Sequence, residues 1–479
     1  MAPKTEDEPL TARQVAAIKA AAQQGLLGTV GVQEVGAQES VSSDGGEAPL
    51  TLEALEAEVQ KKPFAFLYDG DTWEANLAHM REETFKEKHF MHACAVKANP
   101  LEYFLRRACE LGHGAECASI SEVVHSLDVG FAPDRVVFDS PCKTAAEIEF
   151  ALRKGVHLNM DNLQELARVE AILASGRVNL TPSSIVGIRV NPLVGAGTIA
   201  AFSVSTGKSK FGVPLQKSGQ ERESLLARVV ACPWINGVHV HTGSGGMGLD
   251  QLVAGVRTAV DFALEINERA GERRIRTLDM GGGLAVNFNV AQQLSDFAPY
   301  AAALRKDVPE IFADNVFDRV VTEFGAAAQH KFALLASRVE YTKSYDGGRI
   351  ALIHAGSDVF MRACYCPETF VHHRVFAFSS TGEQKEVSED ERVPTDIAGP
   401  LCFAGDVVVR DAKIAPLEVG DIVALADVGG NALSIRTTHC SRQGPQVFVF
   451  HGANEALTFR QIQDVQPVRD SVRQWKCRE

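Results

Sequence analysis

The stretch Ala93-Cys-Ala-Val-Lys97-Ala-Asn-Pro100-Leu101-Glu-Tyr-Phe-Leu-Arg-Arg-Ala-Cys-Glu-Leu111 decides the fold. Its first residues form a short apolar run, the pattern of a buried strand, and Pro100 breaks it. Leu101, Phe104, Leu105 and Ala108 then recur at the three- and four-residue spacing of an amphipathic helix. The same strand-then-helix unit repeats along the chain. Its strand parts run from Ala93 to Lys97, Ala115 to Ser119, Arg135 to Ser140, His157 to Asp161, Ile185 to Asn191, Gly237 to Gly243, Thr277 to Gly283 and Arg319 to Gly325. Eight such units predict an α/β fold of the TIM (β/α)8 barrel type, with a doubly wound open sheet as the weaker alternative.

Beyond about residue 331 the texture changes to alternating segments (Arg349 to His354, Val371 to Phe378, Asp406 to Val409, Gly420 to Ala426, Gln446 to His451) with few helical periods. This predicts a β-rich C-terminal domain, sandwich- or barrel-like. The expected division is an acidic, flexible tail over 1–60, a barrel over 61–335 and a β domain over 336–479. Residues 61–70 are a candidate first strand of the last. A weakly amphipathic, Ala-rich helix over Thr11 to Gln24 is assigned to the tail.

The 479 residues are 45% hydrophobic and 23% charged, the profile of a globular protein. No apolar run approaches the length of a membrane-spanning helix. The net charge is -13, of which residues 1–60 supply -7, and nothing clusters Lys and Arg for nucleic acid. Ten cysteines lack the paired C-x-x-C spacing of a zinc or redox site. Met1-Ala-Pro-Lys-Thr-Glu-Asp-Glu8 carries neither the basic nor the apolar region of a secretory signal. The expectation is a cytoplasmic protein with reduced thiols.

The strand ends carry the chemistry. In a barrel, Lys97, Ser119, Ser140, Asp161, Arg189, His241 with Ser244, the triplet Gly281-Gly282-Gly283 and Glu323 converge on one mouth. Lys97 reads either as a snorkelling surface lysine or as a desolvated amine of lowered pKa able to capture an aldehyde. The triplet reads as a turn or as a backbone cradle for phosphate. His241 reads as a satisfied histidine or as a flat ring for stacking, and no spaced His, Cys or carboxylate cluster joins it to make a metal site. Glu323 is an isolated carboxylate that needs a cationic partner. Amine, phosphate loop, ring and carboxylate together are what pyridoxal 5'-phosphate requires.

These residues resemble the fold-type III pyridoxal-phosphate decarboxylases, the ornithine, diaminopimelate and arginine decarboxylase group, over about residues 63 to 465. The pattern is most similar to diaminopimelate decarboxylases. Matching stretches are Ala95-Val-Lys97-Ala-Asn99, Ala115-Glu-Cys-Ala-Ser119, Ile188-Arg189-Val-Asn-Pro192, Ser209-Lys-Phe-Gly212, His241-Thr-Gly-Ser244, Asp279-Met-Gly-Gly-Gly283, Glu323-Phe-Gly325 and Gly399-Pro-Leu-Cys402-Phe-Ala-Gly-Asp406. The resemblance implies a homodimeric amino-acid decarboxylase. Lys97 would hold the cofactor, His241 stack on its ring, Glu323 pair with its ring nitrogen, and Ser244 with Gly281, Gly282 and Gly283 hold its phosphate. Glu116, Ser119, Arg189, Gly325 and Asn431 complete the implied cofactor set. Cys402, presented across the dimer, would protonate the α carbon, and Asp406 would position that segment. Arg362, Tyr365, Phe403 and Asp406 fall on the substrate side.

Four departures bear on the substrate. The acid that follows the cysteine in the family, and binds a distal amine, is Phe403 here. Glu-Pro-Gly-Arg reads Glu323-Phe-Gly-Ala326, Gly-Ala-Tyr reads Gly429-Gly-Asn431, and Arg-Pro-Ala-Leu-Tyr reads Arg362-Ala-Cys-Tyr365-Cys366. A buried ammonium without its charge partner costs roughly 1–3 kcal/mol or more. The expected substrate is therefore an amino acid with an apolar, thioether or sulfonium-like side chain, methionine in type. Diaminopimelate decarboxylase, with Glu368 as the compensating acid, is the alternative. An alanine-type racemase would leave Cys402 unexplained, and a degenerate antizyme-inhibitor-like protein would not need Lys97, Glu323, His241 and Cys402 together.

Overall fold

The structure, a computed structural model, describes residues 8–30, 51, 53, 56–57, 62–369, 373–453 and 456–477. It separates into two compact units, one spanning Glu74–Val286 with Leu294–Gln329, the other joining the described residues up to Trp73 with Asn287–Gln293 and the chain from His330 onward. The strands are numbered in chain order, beginning with β1 (Phe64–Asp69), which belongs to the second unit.

The first unit is the barrel. Its strands are β2 (Phe90–Ala95), β3 (Gly114–Cys117), β4 (Val136–Phe138), β5 (His157–Met160), β6 (Val186–Asn191), β8 (Gly237–Val240), β9 (Thr277–Asp279) and β10 (Arg319–Thr322). All eight pair in parallel, and the β10–β2 and β5–β6 ladders close the ring. The two-residue β7 (Val213–Pro214) pairs on β6 outside the barrel. The open-sheet alternative is excluded by this closure. Apart from β6, which ends at Asn191 as predicted, each observed strand stops one to four residues before the predicted end, because those residues leave the ladder to form the loops that carry Lys97, Ser119, Ser140, His241, Glu323 and the glycine triplet.

The second unit is β-rich. The long β11 (Ala333–Tyr345) pairs with β1, β12 (Gly348–Ile353) and β16 (Ile422–Ala426). The remaining strands are β13 (Val375–Phe378), β14 (Val393–Ala398), β15 (Val407–Ile414), β17 (Gln446–His451) and β18 (Thr458–Gln463). The candidate strand at 61–70 is β1, paired with β11 on one side and β17 on the other. The expected Val371 to Phe378 strand begins at Val375, and 371–372 lie outside the described residues.

The tail assignment for 1–60 needs correction where the chain is described. Residues Ala12–Gln23 form a helix whose capping box joins Thr11 and Gln14. Ala17, Ile18 and Ala21 are fully buried in a core with Phe378, Phe448 and Phe450. Arg13 holds both carboxylate oxygens of Asp69, at 2.6 and 2.8 Å. The small Ala side chains that make the helix look weakly amphipathic are what let it sit close on the sheet. The rest of the expected tail, 31–50 and its neighbours, lies outside the described residues.

Candidate functional site

The site is built from the C-terminal ends of the barrel strands. Lys97 follows β2 by two residues, and its ammonium donates to both carboxylate oxygens of Glu116 at the end of β3. Glu116 is fully buried, whereas the Lys97 side chain is 48% accessible and faces the open mouth. Desolvation works against the Lys97 charge, but the carboxylates of Glu116, Asp139 and Glu323 outweigh it and hold the ammonium above its ordinary value. The expectation of a lowered amine pKa is thereby corrected, since sequence spacing gives no sign that three carboxylates surround the amine.

After β8 the chain turns through Gly243-Ser244-Gly245-Gly246, with Gly245 and Gly246 at φ +62° and +72°. The His241 ring is fixed at both nitrogens: Nδ1 accepts from the Gly282 N–H at 3.2 Å, and Nε2 lies 3.1 Å from Ser244 Oγ. Since Nδ1 accepts, the proton sits on Nε2 and the ring is neutral. Burial and the nearby Arg189 and Lys97 charges hold its pKa well below the usual value, in agreement. The triplet is required by close backbone approach: a Cβ on Gly282 would lie 2.2 Å from the Glu323 carbonyl, and one on Gly283 2.0 Å from the Gly243 carbonyl.

Glu323 directly follows β10 and is buried. Burial, reinforced by Asp139, pushes its carboxyl up to about 7, and its Oε1 has no hydrogen-bond partner among the described residues. Its Oε2 lies 3.7 Å from His239 Nε2 and 3.9 Å from His241 Nδ1. Arg189 lies over Phe211, its guanidinium carbon 4.6 Å from the ring centre, and reaches Asp139 and Asp161 at 3.7 and 3.9 Å. Asp161 also accepts from the Gly212 N–H at 3.1 Å.

Asp139, His239 and Glu323 place ligand-capable atoms within 4.8 Å of one another, a cluster the sequence reading did not find. No local motif links residues 139, 239 and 323; only barrel closure joins them. The Arg189 and Lys97 cations beside the cluster oppose a further cation there. The signal that was available is Asp139 itself, an acid ending an otherwise apolar run, Val136-Val-Phe138.

The other predicted positions fall as follows. The Ser119 hydroxyl caps the helix Ile120–Val129, accepting from the Glu122 N–H. Gly325 leaves room for Ala95 and Ala98, which a Cβ would meet at 3.1 and 3.3 Å. In the β-rich unit, Cys402 is exposed and Phe403 stacks on Tyr365, with ring centres 4.7 Å apart and planes at 13°. Arg362 is half-buried on the short helix Met361–Tyr365. Asn431 takes a left-handed φ of +51° and lies 3.5 Å from His330 Nε2. Asp406 is buried, and its two carboxylate oxygens accept the N–H groups of Ser357 and Leu401, the latter at 2.7 Å. These contacts brace the 399–406 loop that carries Cys402.

A closed parallel barrel with a lysine, a neutral fixed imidazole, a buried carboxylate with one unsatisfied oxygen and a glycine loop at its mouth defines a pyridoxal-phosphate enzyme of the barrel class. The family model described as "Pyridoxal-dependent decarboxylase, pyridoxal binding domain" matches residues 74–329, and the chain belongs to that family. It is thus a pyridoxal-phosphate-dependent carboxy-lyase. A protein named diaminopimelate decarboxylase from Helicobacter pylori is 28% identical over 388 residues, covering 80% of this chain and 88% of its own length. One from Methanothermobacter thermautotrophicus is 27% identical over 371 residues, 77% and 82% of the two chains. The crystal structure of the H. pylori diaminopimelate decarboxylase with L-lysine has a TM-score of 0.73 at 24% identity, covering 88% of this chain and 99% of that one. The Paramecium bursaria Chlorella virus arginine decarboxylase bound to agmatine gives 0.64 at 20%, covering 81% and 96%. These structures share the fold.

The residues present fit the cofactor. Glu323 Oε1, buried without a partner, calls for a donor such as a pyridinium N–H, because an unsatisfied buried oxygen costs roughly 1–3 kcal/mol. Among the described residues no helix is long and apolar enough to cross a membrane.

Proposed function

We propose that the chain decarboxylates an amino acid whose side chain lacks a distal primary ammonium: apolar, thioether or sulfonium-like, methionine in type. The observation that supports this is the Phe403–Tyr365 stack, a flat aromatic pair at the position where the family's substrate acid would stand. An aromatic face attracts a sulfonium or thioether but leaves a primary ammonium poorly solvated. Diaminopimelate decarboxylation is the second reading, favoured by the names of the relatives and by exposed Glu368, three residues beyond Tyr365.

In this reading Lys97 would hold the cofactor through its aldehyde, Glu323 would pair with its ring nitrogen, His241 would stack on its ring, and Ser244 with the glycine loop would hold its phosphate. Bound pyridoxal phosphate supplies an electron sink for the pair left when the carboxylate departs. Glu116 keeps a proton at Lys97 Nζ, and Arg189 balances the acids around it. Cys402, carried to the substrate by a second subunit of a homodimer, returns a proton to the α carbon, and Asp406 holds its loop in position. A cytoplasmic location suits the free thiols.

Carbon dioxide release from methionine-like amino acids, ornithine, lysine and meso-diaminopimelate tests the reading. Methionine-like substrates are expected to show the highest kcat/KM. Equal or better turnover of diaminopimelate overturns the leading reading in favour of the second.

A further inference from the structure

Asp139 is an acid at the mouth that the cofactor roles above leave unassigned, and it sits where several of them meet. It follows β4 directly, is 6% accessible, and is held to β3 by its backbone N–H on the Cys117 carbonyl at 3.2 Å. Its Oδ2 is 3.7 Å from Arg189 Nη1 and 4.0 Å from His239 Nε2. The same His239 nitrogen is 3.7 Å from Glu323 Oε2, and neither ring nitrogen of His239 has a hydrogen-bond partner among the described residues. A neutral imidazole thus stands between two carboxylates, separated from each by slightly more than a direct hydrogen bond.

We propose that Asp139 is a positioning residue for the decarboxylation, fixing Arg189 and His239 beside Glu323 so that the proton shared by Glu323 and the cofactor ring nitrogen is retained. The inference rests on Glu323 being the partner of that nitrogen. The groups facing Glu323 are Lys97 after β2, Glu116 on β3, Asp139 after β4, Arg189 on β6, His239 on β8, His241 after it, and Asp279 on β9. Of the neighbouring charges, Asp139 does most to raise the proton affinity of Glu323, after burial, while Lys97 and Arg189 lower it. Removing the Asp139 charge therefore releases the shared proton at lower pH and weakens the ring as an electron sink.

The test compares holoenzymes of wild type, Asp139→Asn, Asp139→Ser and Asp139→Glu by titrating the visible absorbance of bound pyridoxal phosphate against pH, alongside kcat and KM. Both uncharged variants are expected to shift the midpoint down by about one pH unit and to lower kcat with KM little changed. Asp139→Glu, which keeps the charge, is expected to return the midpoint towards wild type. In a His239→Asn background the Asp139→Asn shift should shrink, because the imidazole between the two carboxylates is already gone. Uncharged variants that bind the cofactor with the wild-type midpoint overturn the proposal, and so does an Asp139→Glu midpoint that stays with them. If Asp139→Asn fails to fold, Asp139→Ser decides; failure of both while Asp139→Glu folds but titrates unlike wild type counts against it. Wild type that captures no pyridoxal phosphate on Lys97 overturns the underlying assignment instead.

Discussion

The Gly282 N–H donates to His241 Nδ1 across 3.2 Å, so the glycine triplet after β9 and the imidazole after β8 form one unit. The glycines are there for approach as much as for freedom. Gly281 N–H donates to Asp279, its carbonyl accepts from Glu323 N–H, and Gly282 then reaches the ring. Gly282→Ala places a Cβ 2.2 Å from the Glu323 carbonyl. The loop must shift, the His241 bond breaks, and the affinity for pyridoxal phosphate is expected to fall about tenfold or more, equivalent to the roughly 1.4 kcal/mol that one hydrogen bond carries. Equilibrium dialysis of the cofactor checks this; unchanged affinity would show the triplet to be a passive turn.

Phe403→Glu restores an acid next to Cys402. Turnover of meso-diaminopimelate relative to a methionine-like substrate is expected to rise by about 10- to 100-fold, the kinetic equivalent of roughly 1–3 kcal/mol for pairing a buried ammonium. The loss of the Tyr365 stack costs about 1 kcal/mol and is read separately as a change in thermal stability. A variant with an unchanged substrate ratio would remove Phe403 from specificity.

Buried neutral histidines make the barrel acid-sensitive. His92 is wedged between Thr322 Oγ1 at 2.8 Å and the Phe85 carbonyl at 3.3 Å, and burial lowers its pKa to about 4; His113 and His157 are lowered to about 3, again by burial. Since the folded values lie below the unfolded one, the unfolded chain takes up protons first on acidification. Stability is therefore full above about 6.5 and falls as pH drops towards 4. His92 alone should cost about 2 kcal/mol between pH 7.5 and 5, seen as a shift of the urea midpoint. His92→Gln should reduce that pH dependence; an identical slope would contradict the assignment.

The N-terminal helix is core. Ile18 is fully buried, and Ile18→Ala is expected to destabilise the protein by about 2–5 kcal/mol, measured by thermal or chemical unfolding. Removal of residues 1–27 should do at least as much. A truncated protein as stable as the full chain would return this segment to the status of a tail.

Much of this was legible before the structure. The eight apolar runs are short and alternate with amphipathic helical periods, so the strand-then-helix repeat follows from local pattern, while ring closure rather than an open sheet does not. Candidate cofactor residues at strand ends, Lys97, Arg189, His241 and Glu323, were legible because a barrel brings its strand ends together, whereas Glu116 came from the family resemblance. The helix Ala12–Gln23 was not, since burying Ala needs a close sheet surface that composition does not announce. The long β11 was missed because its outer half, from Glu340 on, is polar and exposed. Asp139 and His239 acquire meaning only through the closed ring: each lies in a strand-like run, and neither stands in a spacing motif with Glu323.

The central claim is that Lys97 holds pyridoxal phosphate at the barrel mouth. Reduction of the holoenzyme with borohydride, followed by proteolysis and mass spectrometry, tests it most directly. The account predicts loss of the absorbance near 420 nm and a single phosphopyridoxyl label on the peptide containing Lys97, absent in Lys97→Ala. A label on another lysine, or none, would contradict it.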